Sequence, residues 1–198
     1  MQNFPTVLGI NSYNCLSVQE LKLNNYSIVP IRYTDIQEIR CWRNDQIDIL
    51  RQTKKVTKNE QTEYYNKIIK KSFGEKKPDC ILFSYFLDDK CIGYGGFVHI
   101  NWKKKRAELS FILDTEHAKK VKIYQKEFRI FLRLIFRLNR EQIKFKIIFT
   151  ETYYIRTAHL EILEDFGFKR IKRMSNEGKI IDGKTVDSVF HEYREILN

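Results

Sequence analysis

Cysteine is sparse in this chain and poorly spaced for chemistry. The four residues, Cys15, Cys41, Cys80 and Cys91, never form a C-x-x-C pair, which argues against a metal site and a disulfide framework and fits a reducing compartment. Long apolar runs are missing as well. Charged residues interrupt every hydrophobic stretch short of the roughly 18 residues that a membrane helix needs, so a soluble protein is expected. The first ten residues show neither a basic n-region nor a sustained apolar core, no secretory signal is read there, and the expected location is the cytoplasm. Internal repeats and low-complexity tracts are absent. One domain is expected over residues 26–198, long enough to bury a core, with residues 1–25 as an N-terminal arm.

Charge is plentiful and one-sided: 36 Lys and Arg against 25 Asp and Glu give a formal net charge of +11. Clustered cations can displace counterions from nucleic acid. Here the lysines are spread along residues 54–77, 103–105, 119–126 and 169–179, a distribution that mostly solvates helix faces and loops. A small polyphosphate, such as a nucleotide-bearing cofactor or a sugar nucleotide, uses the same charge more economically. Neither nucleic acid nor membrane is the expected partner.

The pattern is sharpest over residues 106–136. Residues 107–113 form a short apolar run with Ser110 at its middle and charge on both sides, which suits a strand covered on both faces. From Tyr124 the apolar residues fall at Phe128, Phe131, Leu132, Ile135 and Phe136, spacing by three and four that marks one helix face. Between strand and helix, residues 117–122 make a basic connector that would gather backbone amides, the positive helix end and ammonium groups at one spot. That is a site for an anion.

The other elements follow in order. Residues 26–32 alternate as a strand that Pro30 pushes to a sheet edge. Thr34 or Asp35 caps a helix through Ile36, Ile39 and Arg40, broken by polar residues at Trp42-Arg43-Asn44-Asp45. Thr57 and Glu60 have capping-box spacing, and Tyr64, Tyr65, Ile68 and Ile69 continue a second helix that ends at 74–78. Residues 80–87 and 91–100 read as a hairpin around Asp88-Asp89-Lys90, with Gly93, Gly95 and Gly96 marking a bulge or a close backbone approach. Residues 145–153 form a further strand, 157–166 a short helix capped by Gly167, and the tail adds strands at 168–173 and 188–194 about a turn at Asp182-Gly183. The order β-α-α-β-β-β-α-β-α-β-β is α+β with one crossover helix.

Four stretches sit at telling places in that order: Trp42-Arg43-Asn44-Asp45, Ile92-Gly93-Tyr94-Gly95-Gly96, residues 107–113, and residues 160–168 with the trailing Asp182-Gly183-Lys184. Together they resemble the Gcn5-related N-acetyltransferase (GNAT) superfamily over residues 26–194, and within it the branch of ribosomal-protein and amino-sugar acetyltransferases. The resemblance implies a mixed, mostly antiparallel sheet of six to seven strands, splayed between the fourth and fifth and flanked by helices. It implies transfer of acetyl from the cosubstrate acetyl-CoA to a primary amine, by direct attack through a tetrahedral intermediate. Pantetheine would lie in the splayed gap along Phe111, Ile112 and Leu113. The pyrophosphate would rest at Lys119, Lys120, Lys122, Ile123, Tyr124 and Gln125, with Arg156 near the cofactor. Amides left unpaired on such a strand can stabilise an oxyanion.

The chain departs from the family pattern at the pyrophosphate loop, where 120–125 carries no glycine, so that lysine ammonium groups would replace amide contacts. It departs again at Leu163, where many members carry the tyrosine that protonates the leaving thiolate, and at Arg156, where an asparagine is common. Tyr153, Tyr154 or water would serve as the acid. Three residues are candidates for the base that deprotonates the incoming ammonium: Glu108 on the central strand, Glu151 at the end of the next, and His99 at the end of the third. Trp42, Arg43 and Asn44 are the candidates for shaping the acceptor site. A sugar nucleotide is the expected acceptor, the alternatives being a protein N-terminus or another small amine, and a homodimer is left open. A GNAT-shaped module without catalysis is the reading from a different class.

Overall fold

The protein is described by a computed structural model over residues 11–174, 179–181 and 183–195. In chain order its main elements are β1 (Leu21–Leu23), β2 (Tyr26–Pro30), α1 (Ile36–Asp45), α2 (Lys58–Tyr64), α3 (Lys70–Gly74), β3 (Ile81–Leu87), β4 (Lys90–Asn101), β5 (Arg106–Leu113), α4 (Thr115–Ala118), α5 (Val121–Leu138), β6 (Ile147–Tyr153), α6 (Thr157–Phe166), β7 (Lys169–Met174), β8 (Ile180–Ile181), β9 (Lys184–Thr185) and β10 (Ser188–Arg194). Eight of the strands form one sheet in the order β1-β2-β3-β4-β5-β6-β10-β7. Every neighbouring pair is antiparallel except β5 and β6, which α5 joins as the crossover. The expected α+β architecture is present, with one strand more than the upper count.

That strand is β1, and it comes from the stretch expected to be an arm. Tyr13 is 1% exposed; its hydroxyl donates to the Leu82 carbonyl and accepts from the Leu82 amide. From residue 11 onward this stretch is therefore packed on the fold, with Tyr13 and Leu16 in the core, while residues 1–10 lie outside the described residues. β1 ends opposite Ile28, which leaves Pro30 without a strand on its outer side, the position a residue lacking an N–H tolerates.

The central sheet carries helices on both faces, and strand alternation sorts them. Phe111 packs on Phe128 and Phe131 of α5, with ring centroids 4.7 and 4.6 Å apart. Every residue of the expected α5 face, from Tyr124 to Phe136, is buried, each large side chain stabilising the fold by about 1.5–3 kcal/mol. α5 lies close because β4 is bare beneath it. A Cβ on Gly95 would stand 2.8 Å from the Phe131 ring and 2.3 Å from the Ser110 carbonyl oxygen. One residue earlier, Tyr94 faces the other side, where Arg43 of α1 donates to its hydroxyl at 2.8 Å.

Helix ends show where local reading succeeds and fails. Thr57 and Glu60 form the expected capping box at α2, and Gly167 closes α6 at φ +107°. Asp35 caps nothing: it is buried and accepts from Arg32 at 2.8 and 2.7 Å and from Ser84 at 2.6 Å. Nor do the polar residues after Cys41 break α1. Trp42, Arg43, Asn44 and Asp45 make its last turn, because Trp42 is buried and holds it to the core. Asp182 of the expected tail turn lies outside the described residues, though β8 and β9 pair Ile181 with Lys184 across it.

Candidate active site

The site begins where two strands part. β5 and β6 pair at Arg106 with Ile147, Ala107 with Ile148 and Glu108 with Phe149, and no further. Beyond Glu108 each follows its other neighbour, β5 staying with β4 as far as Leu113 and β6 with β10 as far as Tyr153. The resulting wedge is a cleft of about 990 Å³. Its backbone edge follows from the ladder: the Asp114 amide donates to the Ile92 carbonyl, so by the two-residue period Ile112, Ser110 and Glu108 also face β4. The amides of Phe111 and Leu113 then point into the gap, where β6 no longer reaches them. β4 carries a bulge between Val98 and Asn101, just beyond the glycines that marked its strand.

Charge collects at the apex of the wedge. Glu108, the last paired residue, is 5% exposed. Arg51 donates to Glu108 and, through Nη1, to Glu151 Oε2 at 3.1 Å, bridging the two carboxylates. The β4 bulge holds His99 at φ +49° and brings its Nε2 within 3.8 Å of Glu108 Oε2. Burial pushes the Glu108 carboxyl above the usual carboxylate range, Arg51 and His99 pull against it, and Glu151 adds to the rise. The three expected base candidates thus meet at one spot, the two carboxylates joined by an arginine that no sequence signal singled out. Arg51 sits in a connection without hydrophobic period, and tertiary contacts fix it: Lys179 Nζ donates to the carbonyls of Ile47, Leu50 and Gln52 at 2.8, 3.0 and 3.3 Å.

A family model described as acetyltransferase (GNAT) domain matches residues 28–190. The chain belongs to the GNAT acetyltransferase family. That membership makes it an acetyl-CoA-dependent N-acetyltransferase. Solved structures share the fold at low identity. The spermidine N-acetyltransferase from Vibrio cholerae, in complex with CoA and spermine, is 17% identical and superposes with a TM-score of 0.72 over 88% of this chain and 98% of that one. The ribosomal-protein-S5-alanine acetyltransferase from Vibrio fischeri gives 13%, 0.67, 90% and 98%, and RimL, a ribosomal L7/L12 α-N-protein acetyltransferase in complex with coenzyme A, gives 10%, 0.70, 89% and 97%. Among curated proteins none matches the chain in sequence.

Within this GNAT domain the other expected residues separate. Phe111 and Ile112 line the cleft; Leu113 is buried, and its carbonyl accepts from Gln46 Nε2 at 2.8 Å. β5 is followed by the single turn of α4, held by Asp114, which accepts from the amides of Glu116 and His117; the glycine-less stretch 120–125 comes after it. α5 then starts at Val121 with Lys120 as its cap residue, whose side chain makes no capping bond. The first intrahelical donor is Tyr124, to Lys120, which leaves the amides of Val121, Lys122 and Ile123 ahead of it. None of Lys119, Lys120, Lys122, Ile123, Tyr124 and Gln125 lines the cleft wall. Lys119 pairs with Glu116 at 2.8 Å, and Tyr124 is buried.

Arg156 does reach the cleft and donates to the Tyr124 hydroxyl at 3.0 Å; that hydroxyl lies 2.5 Å from Nδ1 of His159. Burial drives the His159 imidazole far below its ordinary range and keeps it neutral. Leu163 is in the core, Tyr153 lines the cleft, and Tyr154 lies further toward solvent. Of the expected acceptor residues only Arg43 lines the cleft. Trp42 is core, and Asn44 ties down the connection to α2, donating to the Val56 carbonyl at 2.9 Å and accepting from the Val56 amide and Gln52. Among the described residues no group of three or more His, Cys, Asp or Glu is placed to hold a metal, and no helix is long and apolar enough to cross a membrane.

Proposed function

We propose that this GNAT enzyme acetylates the primary amine of a small anionic acceptor of the amino-sugar nucleotide class, with Glu108 as the base. What carries the reading is the bridged pair Glu108–Arg51–Glu151 at the wedge apex, beside backbone amides with no strand partner. An amine arrives mostly as ammonium and must shed a proton before it attacks. A buried carboxylate with a raised pKa accepts that proton readily near neutral pH, directly or through one water. Glu151 faces the same space and holds the cation while Arg51 gives way. The inward amide of Phe111 is aimed to meet negative charge developing on the acyl oxygen, and Lys119, Lys120 and Lys122, with the amides of Val121 to Ile123, supply the diphosphate end. Tyr153 or water returns a proton to the departing thiolate.

Support for an anionic acceptor comes from the cations on the α1 and α2 side of the cleft, Arg43 and Lys54. The test is thiol release from acetyl-CoA with a panel of amino-sugar nucleotides, N-terminal peptides and polyamines, the last two chosen from the ribosomal-protein and spermidine acetyltransferases that share the fold. Preferred turnover of the nucleotide sugars is expected. Preferred turnover of peptides or polyamines overturns the acceptor assignment and leaves the chemistry standing.

A further inference from the structure

Off the acceptor side of the cleft, a second pocket of about 340 Å³ opens between α1 and α2. Arg43, Lys54, Val56 and Tyr64 line both spaces, so the two are continuous. Gln61 lines only the smaller one. It is 5% exposed as a residue, and among the described residues no side chain or backbone group bonds its side-chain amide. Its backbone groups already serve the helix, the N–H donating to Thr57 and the carbonyl accepting from Tyr65, so the amide has no structural task. A glutamine with so little exposure has few hydrogen bonds to water, and a group entering the pocket can supply the rest.

The neighbours of Gln61 are short of acceptors too. Arg43 commits Nε to Gln52 at 3.1 Å and Nη1 to Tyr94 at 2.8 Å, and its Nη2 has no described partner. The hydroxyl of Tyr64 likewise has none, and the Arg43 charge acts on it. Glu60 is the pocket's only carboxylate, and it is already taken by Lys54 at 2.8 Å and by the amide and hydroxyl of Thr57 at 2.8 and 3.0 Å. With Arg43 and Lys54 positive and Glu60 negative, the lining carries one net positive charge. Guanidinium, carboxamide and phenol therefore line a cationic pocket whose carboxylate is already engaged. Tyr94, the partner of Arg43, precedes Val98, which pairs with Glu108; four residues of strand put about 13 Å between them.

We infer that this pocket binds an oxyanion, a carboxylate or a phosphate, carried by the acceptor at roughly that distance from the amine facing Glu108. The inference rests on the acetyl-transfer reading and narrows it, since a bare polyamine would bring only donors and like charge to the Arg43 guanidinium.

Three primary amines of equal length, ending in phosphate, carboxylate or hydroxyl, test it. With the native enzyme the two anionic amines should show a KM at least about tenfold lower than the hydroxyl compound, the size expected for hydrogen bonds to a charged group, and their ratio tells phosphate from carboxylate. Gln61→Leu and Tyr64→Phe should each remove most of that advantage without altering the thermal shift given by acetyl-CoA. Equal KM for all three amines, or a Gln61→Leu loss of the same size on each, overturns the subsite. The same amines titrated calorimetrically without acetyl-CoA decide the matter even if turnover is nil. Preferential binding of the anionic pair, lost in Gln61→Leu, upholds the pocket while the transferase reading falls, and equal binding rejects it.

Discussion

Glu108 is a carboxylate that water barely reaches, and its neighbours decide when it is charged. Its pKa is raised by burial and lowered by Arg51. A base must be unprotonated to act, so kcat/KM should fall as pH drops through that raised value, above the ordinary carboxylate range. Arg51→Gln should move this acid limb to still higher pH, and a limb that stays in place would remove Arg51 from the site's electrostatics. Glu108→Gln should lower kcat by about 10²- to 10⁴-fold with acetyl-CoA binding unchanged; full activity there would pass the role to Glu151 or His99. His159 carries the opposite sign. Its folded pKa is depressed by burial, so below the unfolded value of about 6.5 the unfolded chain takes up a proton that the native state refuses, and stability drops with pH. Denaturant midpoints measured from pH 7 down to 5 should fall, and fall less in His159→Gln. At this scale Glu108, Glu151 and His99 were legible because they end or punctuate strands. Arg51 and Gln61 were not, since one lies in an aperiodic connection and the other looks like any polar residue on a helix.

At the scale of elements, β4 sets the spacing of the core. Gly96 has φ +144°, and a Cβ there would come 2.1 Å from the Ile81 carbonyl oxygen, so backbone strain and overlap act together. Gly96→Ala should destabilise by about 3 kcal/mol, read as a lower urea midpoint with an unchanged slope. The α2 capping box is a milder case: Thr57→Ala should cost about 1 kcal/mol and lower Tm by roughly 2–4 °C. Glycines in a strand, S/T-x-x-E spacing and the three-four rhythm of α5 could all be read directly, because each is a local demand of backbone or helix. The end of α1 could not. Its last turn is polar by composition and survives because one side, Trp42, is buried under neighbours distant in sequence.

For the whole molecule, the wedge and the basic rim make one expectation. Acetyl-CoA at a hundredfold excess over Kd should stabilise the native state by about 2.7 kcal/mol, a Tm rise of roughly 5–10 °C for a domain of this length. A flat response at millimolar cofactor would mean that the glycine-less turn does not hold the diphosphate. Order and spacing of the elements, the long amphipathic helix and the parallel crossover were set by residue pattern, since period and turn chemistry act between near neighbours along the chain. The eighth strand, the arginine bridging two carboxylates, the withdrawal of Lys119 to Gln125 from the cleft wall and the side pocket between α1 and α2 were decided only by folding. Each depends on groups far apart in sequence being desolvated together, and no local pattern records which of them will meet.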